Sequence, residues 1–213
     1  MRRSGIVAAS LLLSSCIPSS GPRPPTREQR PSAEPDAATR QCYADLSNQH
    51  FLFRPLVDRT FDNGCSALGA VQLIDIGTPV TNLGAMTCPL ADRFGQWVRD
   101  SVQSAAKAWL RSRVVKVESF GTYACRPVNG EPGKKLSEHG RSNAVDISGF
   151  QLADGRRITI LADWNGPDED VRHFLRAIHD SGCRRFQVVL GPDANAFHRN
   201  HLHMDLGNGP YCR

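Results

Sequence analysis

Six cysteines, Cys42, Cys65, Cys88, Cys125, Cys183 and Cys212, run from residue 42 to the end of the chain, and they limit its fold more than any other feature. In an oxidising compartment six thiols can close up to three disulfides, which forces distant segments into contact. About fifteen pairings are open to them, and sequence spacing does not choose among these. No CxxC pair occurs, so a thiolate zinc knuckle is not expected and the cysteines read as structural.

The compartment is read from the N-terminus. Arg2 and Arg3 are followed by a short apolar stretch from Gly5 to Leu13, too short to span a bilayer and suited to a secretory leader. It runs into Leu13-Ser14-Ser15-Cys16, which resembles the bacterial lipobox, where cleavage before the cysteine leaves its thiol to carry diacylglycerol. Residues 1–15 are therefore expected to be a signal peptide and Cys16 the lipidation site. Ile17 is not the aspartate that favours inner-membrane retention, so a periplasmic domain anchored to the outer membrane is expected, with the inner membrane left open. Residues 17–40 hold six of the fourteen prolines and almost nothing apolar, so 16–40 reads as lipid anchor and extended tether.

Charge narrows the partners. Lys and Arg number 26 against 21 Asp and Glu, and losing Arg2 and Arg3 leaves 24 against 21. With no basic run and few aromatics, a nucleic-acid partner is not expected.

The folded domain is expected over 41–213. Leu90, Phe94, Trp97, Val98, Val102, Ala105 and Trp109 recur at helical spacing, so the pattern predicts one amphipathic helix over 89–112 with both tryptophans on its apolar stripe. Val114 to Phe120 alternates like a strand. Ala144–Leu152 and Arg156–Leu161 flank Ala153-Asp154-Gly155, a hairpin signal. Asp168 can cap a helix carrying Val171, Phe174, Leu175 and Ile178 that ends near Gly182. Phe186–Leu190 and His201–Leu206 complete the strands. One or two long helices on a mostly antiparallel sheet make an α+β fold.

Chemistry concentrates in two places. Ser137-Glu138-His139-Gly140-Arg141-Ser142-Asn143-Ala144-Val145-Asp146 puts a histidine and an aspartate seven apart, across a Gly-containing loop that enters a strand. Later comes His198-Arg199-Asn200-His201-Leu202-His203, and alternate residues of an extended strand share a face, so His201 and His203 can point into one site. Two imidazoles and a carboxylate suit Zn²⁺, leaving a fourth position for water. Asp205 continues the His203 side of the strand and is placed to hold a ligand's ring nitrogen. His173 and His179 lie on the helix after Asp168 and read as structural or solvated.

The two motifs resemble those of zinc peptidases that include D-alanyl-D-alanine carboxypeptidases, and the late histidine spacing resembles the penicillin-insensitive murein endopeptidases. Together, Tyr123-Ala124-Cys125-Arg126-Pro127, Leu136-Ser137-Glu138-His139, Ala144-Val145-Asp146-Ile147-Ser148-Gly149-Phe150 and His198 to His203 resemble the bacterial extensin-like C-terminal domain over most of 41–213. The resemblance implies a zinc D,D-peptidase-like fold and hydrolysis of peptide bonds in peptidoglycan, as endopeptidase or D,D-carboxypeptidase. It makes His139, Asp146 and His203 metal ligands, His201 a general base or proton shuttle, and His198 an assisting or substrate-contacting imidazole. Arg126 stands where such peptidases place an arginine for the oxyanion or a substrate carboxylate, and Ser137 orients the loop or bonds substrate. The chain departs from the pattern twice. Ser142 stands where many of these peptidases have glycine, with Gly140 expected to supply the flexibility. Asn200 stands three residues before His203 in place of a basic glutamate, which moves proton transfer to a histidine. Two other functions stay open on the same residues: a tethered, non-catalytic wall-binding module, and a zinc amidase or esterase on another substrate.

Overall fold

The computed structural model describes residues 34–61 and 63–213. The expected signal peptide, the lipidation site Cys16 and most of the expected tether lie outside the described residues. Among the described residues, helical structure reaches back before residue 41. Asp36 accepts a hydrogen bond from the Thr39 amide at 2.7 Å and caps helix α1 (Ala37–Asn48). The helix therefore takes in 37–40, expected as the end of the tether. Its hold on the domain is Leu46, which is buried, and a disulfide from Cys42 to Cys88.

The expected long helix is present as α2, over 88–110. Pro89 sits in its first turn, where a missing amide hydrogen costs nothing. It is α-helical over Cys88–Gln96 and Gln103–Ala105, with π-helical turns at Trp97–Val102 and Ala106–Leu110. It ends where Arg111 turns into the left-handed region at φ 54°. Phe94, Trp97, Val98, Val102 and Ala106 are fully buried. Trp109, expected on the same stripe, is instead 39% exposed, because the π turns rotate the helix's last stretch, and it stacks on His173 with ring centroids 4.4 Å apart. Helix α3 (Glu169–Cys183) is capped by Asp168, which accepts from the Val171 amide at 3.1 Å. Trp97 Nε1 donates to the Ile178 carbonyl at 3.0 Å and to Ser181 Oγ at 3.1 Å, pinning α2 on α3.

The first strands make a small antiparallel sheet of β1 (Leu52–Pro55), β4 (Ala70–Asp75) and β5 (Met86–Thr87), and a ribbon of β2 (Arg59–Thr60) and β3 (Ser66–Ala67). The larger sheet contains β6 (Val114–Gly121), β7 (Ala144–Leu152), β8 (Arg157–Thr159), β9 (Val188–Leu190), β10 (Leu202–Asp205) and β11 (Tyr211–Cys212). Its order is β11-β9-β10-β7-β6, with β8 also pairing β7. All pairs are antiparallel except β11 with β9. The strand expected to reach Leu161 stops at Thr159, whose Oγ1 accepts from the Ala162 amide and starts a helical turn, Ile160–Asp163. The fold is α+β.

Alternation divides the large sheet. Val145 and Ile147 of β7 and Leu202 and Met204 of β10 are fully buried in the core with Trp97, Phe150, Phe174 and Ile178. Asp146, His203 and Asp205 lie on the other face. The remaining two disulfides are Cys65–Cys125 and Cys183–Cys212. The loops closed by the three bridges span 46, 60 and 29 residues of sequence, for which loop-closure entropy gives about 4 kcal/mol of stabilisation per bridge.

Candidate metal centre

Three strands bring the centre together. β7 and β10 pair so that His203 stands opposite Asp146, while Gly121 at the end of β6 stands opposite Asp146 on the other side. His139 arrives on a turn. Ser137 caps the single 3-10 turn Glu138–Arg141, its Oγ accepting from the His139 amide at 3.3 Å. The turn leaves through Ser142 in the left-handed region, φ 56°, before β7 begins. A residue that tolerates left-handed backbone is needed there, a conformation glycine adopts most readily. Ser142 meets the requirement while donating from its Oγ to the Ser66 carbonyl at 3.2 Å. Gly140 does not act as the flexible substitute. A Cβ on it would lie 2.7 Å from Leu136 Cδ1 and 3.1 Å from Cys65 Sγ, so its role is close packing.

His139, Asp146 and His203 are all buried. His203 Nδ1 is 2.9 Å from Asp146 Oδ1, His139 Nε2 is 3.1 Å from the same oxygen, and the two ring nitrogens are 3.2 Å apart. The outer nitrogens are tied. His139 Nδ1 donates to the Thr122 carbonyl at 2.9 Å, and His203 Nε2 donates to Asp205 Oδ2 at 2.8 Å. A carbonyl and a carboxylate only accept, so in the neutral rings the lone pairs of His139 Nε2 and His203 Nδ1 both face Asp146. Three electron-rich atoms at van der Waals distance repel unless a cation lies among them. Zn–N bonds of about 2.0–2.1 Å place tetrahedral ligands roughly 3.3–3.4 Å apart, close to the spacing here. The donor set, two imidazoles and a carboxylate, also suits zinc.

The electrostatics of the three groups are coupled. Burial works to raise the Asp146 carboxyl, but hydrogen bonds from His139 and His203 overcome it and hold the group well below the usual carboxylate range. Burial works to lower His203, and hydrogen bonds to Asp146 and Asp205 overcome that in turn, lifting it to about 9. With no metal bound, His203 therefore holds a proton against Asp146.

The profile of one family, extensin-like protein C-terminus, matches residues 40–213. The chain belongs to that family. Comparison with curated proteins and with solved structures finds no match.

The other expected residues of this extensin-like domain surround His139, Asp146 and His203. His201 precedes β10 rather than lying in it, and its Nε2 faces Asp146 Oδ1 at 3.6 Å while Nδ1 donates to Asn200 Oδ1 at 2.9 Å. His198 is buried at the end of the turn Ala196–His198, with Nδ1 donating to Asn195 Oδ1 at 2.9 Å and its ring 5.1 Å from that of His201. Burial, joined by the neighbouring His203 and His201, pushes His198 down to about 4. Burial also lowers His201, against the pull of Asp146. Arg126 follows the Cys65–Cys125 bridge and lines the site beside His139, Asp146 and His201.

Those residues sit where two clefts meet, one of about 800 Å³ and one of about 340 Å³. Glu138 is held in place: it accepts from Asn143 Nδ2 at 2.8 Å and pairs with Arg141 at 3.5 Å. Sequence reading missed Thr122, Asn195 and Asn143. Thr122 acts through a backbone carbonyl and leaves no side-chain signal, whereas the two asparagines are visible only as polar residues in loops. A second cluster, His179 with Cys183 and Cys212, also has its atoms close together, but both sulfurs are taken by their disulfide.

Proposed function

We propose that this extensin-like domain is a zinc-dependent hydrolase of peptide bonds in peptidoglycan stem peptides or their crosslinks, working from a lipid anchor at Cys16 on the periplasmic side. The observation that carries the reading is the convergence of His139 Nε2, Asp146 Oδ1 and His203 Nδ1 at the junction of two clefts, with each ring's other nitrogen tied down. Bound there, zinc would polarise the scissile carbonyl and lower the pKa of a water towards neutrality. Asp146 supplies the negative charge that holds the cation, and Thr122 and Asp205 keep the ligand rings in the metal-binding tautomer. Arg126, always charged, steadies the oxyanion from the cleft wall. His201 presents a free Nε2 towards the centre and takes the proton from the attacking water to the leaving amine. His198, kept neutral by burial, contacts the substrate beside it. Ser137 positions the His139 turn. The choice of peptidoglycan rests on the resemblance to zinc D,D-peptidases and on the lipobox-like leader.

The test is incubation of the purified protein with muropeptides, with and without chelator, followed by chromatography and by metal analysis of the protein. Chelator-sensitive loss of crosslinked or pentapeptide species, from a protein holding equimolar zinc, is the expected result. A metal-free protein that binds the wall without cutting it would overturn the reading in favour of a binding module.

A further inference from the structure

Two clefts border the same four residues, Arg126, His139, Asp146 and His201, so the centre lies at a junction and not at a blind end. An enzyme that trims a chain terminus needs a closed side that recognises the terminus, whereas a junction admits a chain on both sides. The arms differ in chemistry. The larger arm carries Lys135, Arg141, Glu138 and Asp205 beyond the shared residues. Its acids are engaged: Glu138 by Asn143 and Arg141, and Asp205 by His203 and the Gly207 amide at 2.8 Å. Among the described residues Lys135 has no ion-pair partner, so beyond the shared residues one exposed cation faces this arm with its charge unmatched. The smaller arm carries no lysine and no glutamate, and presents Phe120, Tyr123, Ala124 and Asn200. Phe120 is 56% exposed and its ring stands edge-on to His201 at 5.8 Å. A large aromatic left in water beside a catalytic imidazole is a surface that a ligand can cover.

We infer that the substrate crosses the centre as a peptide, with a carboxylate-bearing part in the larger arm against Lys135 and a small, uncharged part in the smaller arm against Phe120 and Tyr123. The inference rests on the hydrolase reading above and selects internal cleavage over removal of a terminal residue. In the step, a water oxygen bonds to the acyl carbon, the C–N bond breaks, and the water's proton goes to the departing amine through His201, so no further reactant is needed.

The experiment uses the zinc-loaded protein on three substrates: crosslinked muropeptide dimers with free stem carboxylates, the same dimers with those carboxylates amidated, and monomeric pentapeptides. Dimers are expected to be split, with KM about tenfold higher on the amidated form, the scale of one lost charge-assisted hydrogen bond. Lys135→Glu should raise KM on free-carboxylate dimers and leave amidated dimers unaffected. Phe120→Ala should raise KM on both with zinc content unchanged. Release of terminal residues from monomers with dimers untouched, or equal handling of free and amidated dimers, overturns this inference alone. Absence of chelator-sensitive cleavage on all three substrates overturns the hydrolase reading and this inference with it.

Discussion

His203 on β10 stands directly across from Asp146 on β7, and its Nδ1 lies 2.9 Å from Asp146 Oδ1. The register of an antiparallel pair therefore sets the spacing of the two side chains. A slip of β10 by one residue would turn His203 to the opposite face, into the packed core around Val145 and Ile147, and leave Asp146 without it. The hydrophobic pattern that folds the sheet is thus the same pattern that aims Asp146 and His203 into the site, and only His139 depends on a loop.

Ligand and shuttle are expected to separate under mutation. His139→Ala and Asp146→Asn each remove one of three donors and should abolish stoichiometric zinc, read by mass spectrometry. His201→Ala should keep zinc and lose about 10²–10⁴-fold in kcat, the range for a positioned acid–base group. Full activity in the His201 variant would show that the proton travels by another route.

Asp205 holds His203 from outside, accepting from Nε2 at 2.8 Å. Asp205→Asn leaves all three ligands in place but weakens the acceptor, and an amide can turn its NH₂ to the ring and favour the wrong tautomer. Zinc affinity should fall by about 10–100-fold, the usual effect of losing such a support, with zinc still bound at saturating metal. Competition against a chelator of known affinity measures it.

The pH dependence of stability should differ between the metal-free and zinc-loaded protein. His203 is raised from 6.5 to about 9, so its contribution to the metal-free fold is complete below pH 6.5 and is lost as pH rises through about 9. Zinc needs the deprotonated ring, so the loaded protein is expected to keep its stability across that window. His198 runs the other way: depressed from 6.5 to about 4, it stays neutral in the fold while the unfolded chain takes up a proton, so stability falls as pH drops from 6.5 to about 4. Asp146, held below its ordinary 3.8, adds a further loss only below that value. Thermal melts with and without zinc should therefore diverge between pH 6.5 and 9, and His198→Gln should flatten the limb between 6.5 and 4. Parallel melts at all pH values would contradict the assignment of His203 as a ligand.

What could be read from sequence followed the length and regularity of each element. Helix α2, β6 and α3 were legible because a run of residues kept one period, β7 because the Ala153-Asp154-Gly155 turn follows it, and Asp168 marked a helix start by its capping chemistry. Helix α1 was not, since it buries only Leu46 and is held by a disulfide whose pairing spacing could not choose. Strands of two residues, such as β2, β3 and β5, carry no period at all. In the site, alternation linked Asp205 to His203, and the structure joins them at 2.8 Å. Thr122 contributes a carbonyl that every residue type possesses, so nothing in its side chain could announce it. Gly140 was misread because a glycine required by close packing and one required for flexibility look the same as a letter.

Gly140 is where that difference can be measured. It follows His139 directly, and the added methyl of Gly140→Ala would meet Leu136 at 2.7 Å and Cys65 Sγ at 3.1 Å. Leu136 is a flexible side chain, but Cys65 is fixed by its bridge to Cys125, which in turn precedes Arg126. The strain therefore has to be relieved by moving the Glu138–Arg141 turn, and with it the His139 imidazole. Overpacking of this kind costs about 1–3 kcal/mol, so the thermal midpoint should drop. Zinc affinity should drop as well, because His139 Nε2 can no longer meet both Asp146 and His203 at about 3 Å. Had glycine served as a hinge, the same substitution would stiffen the turn and alter turnover at unchanged zinc affinity. Chelator competition on the variant separates the two, and Gly140→Ala with wild-type affinity and midpoint would show that the turn can absorb the methyl.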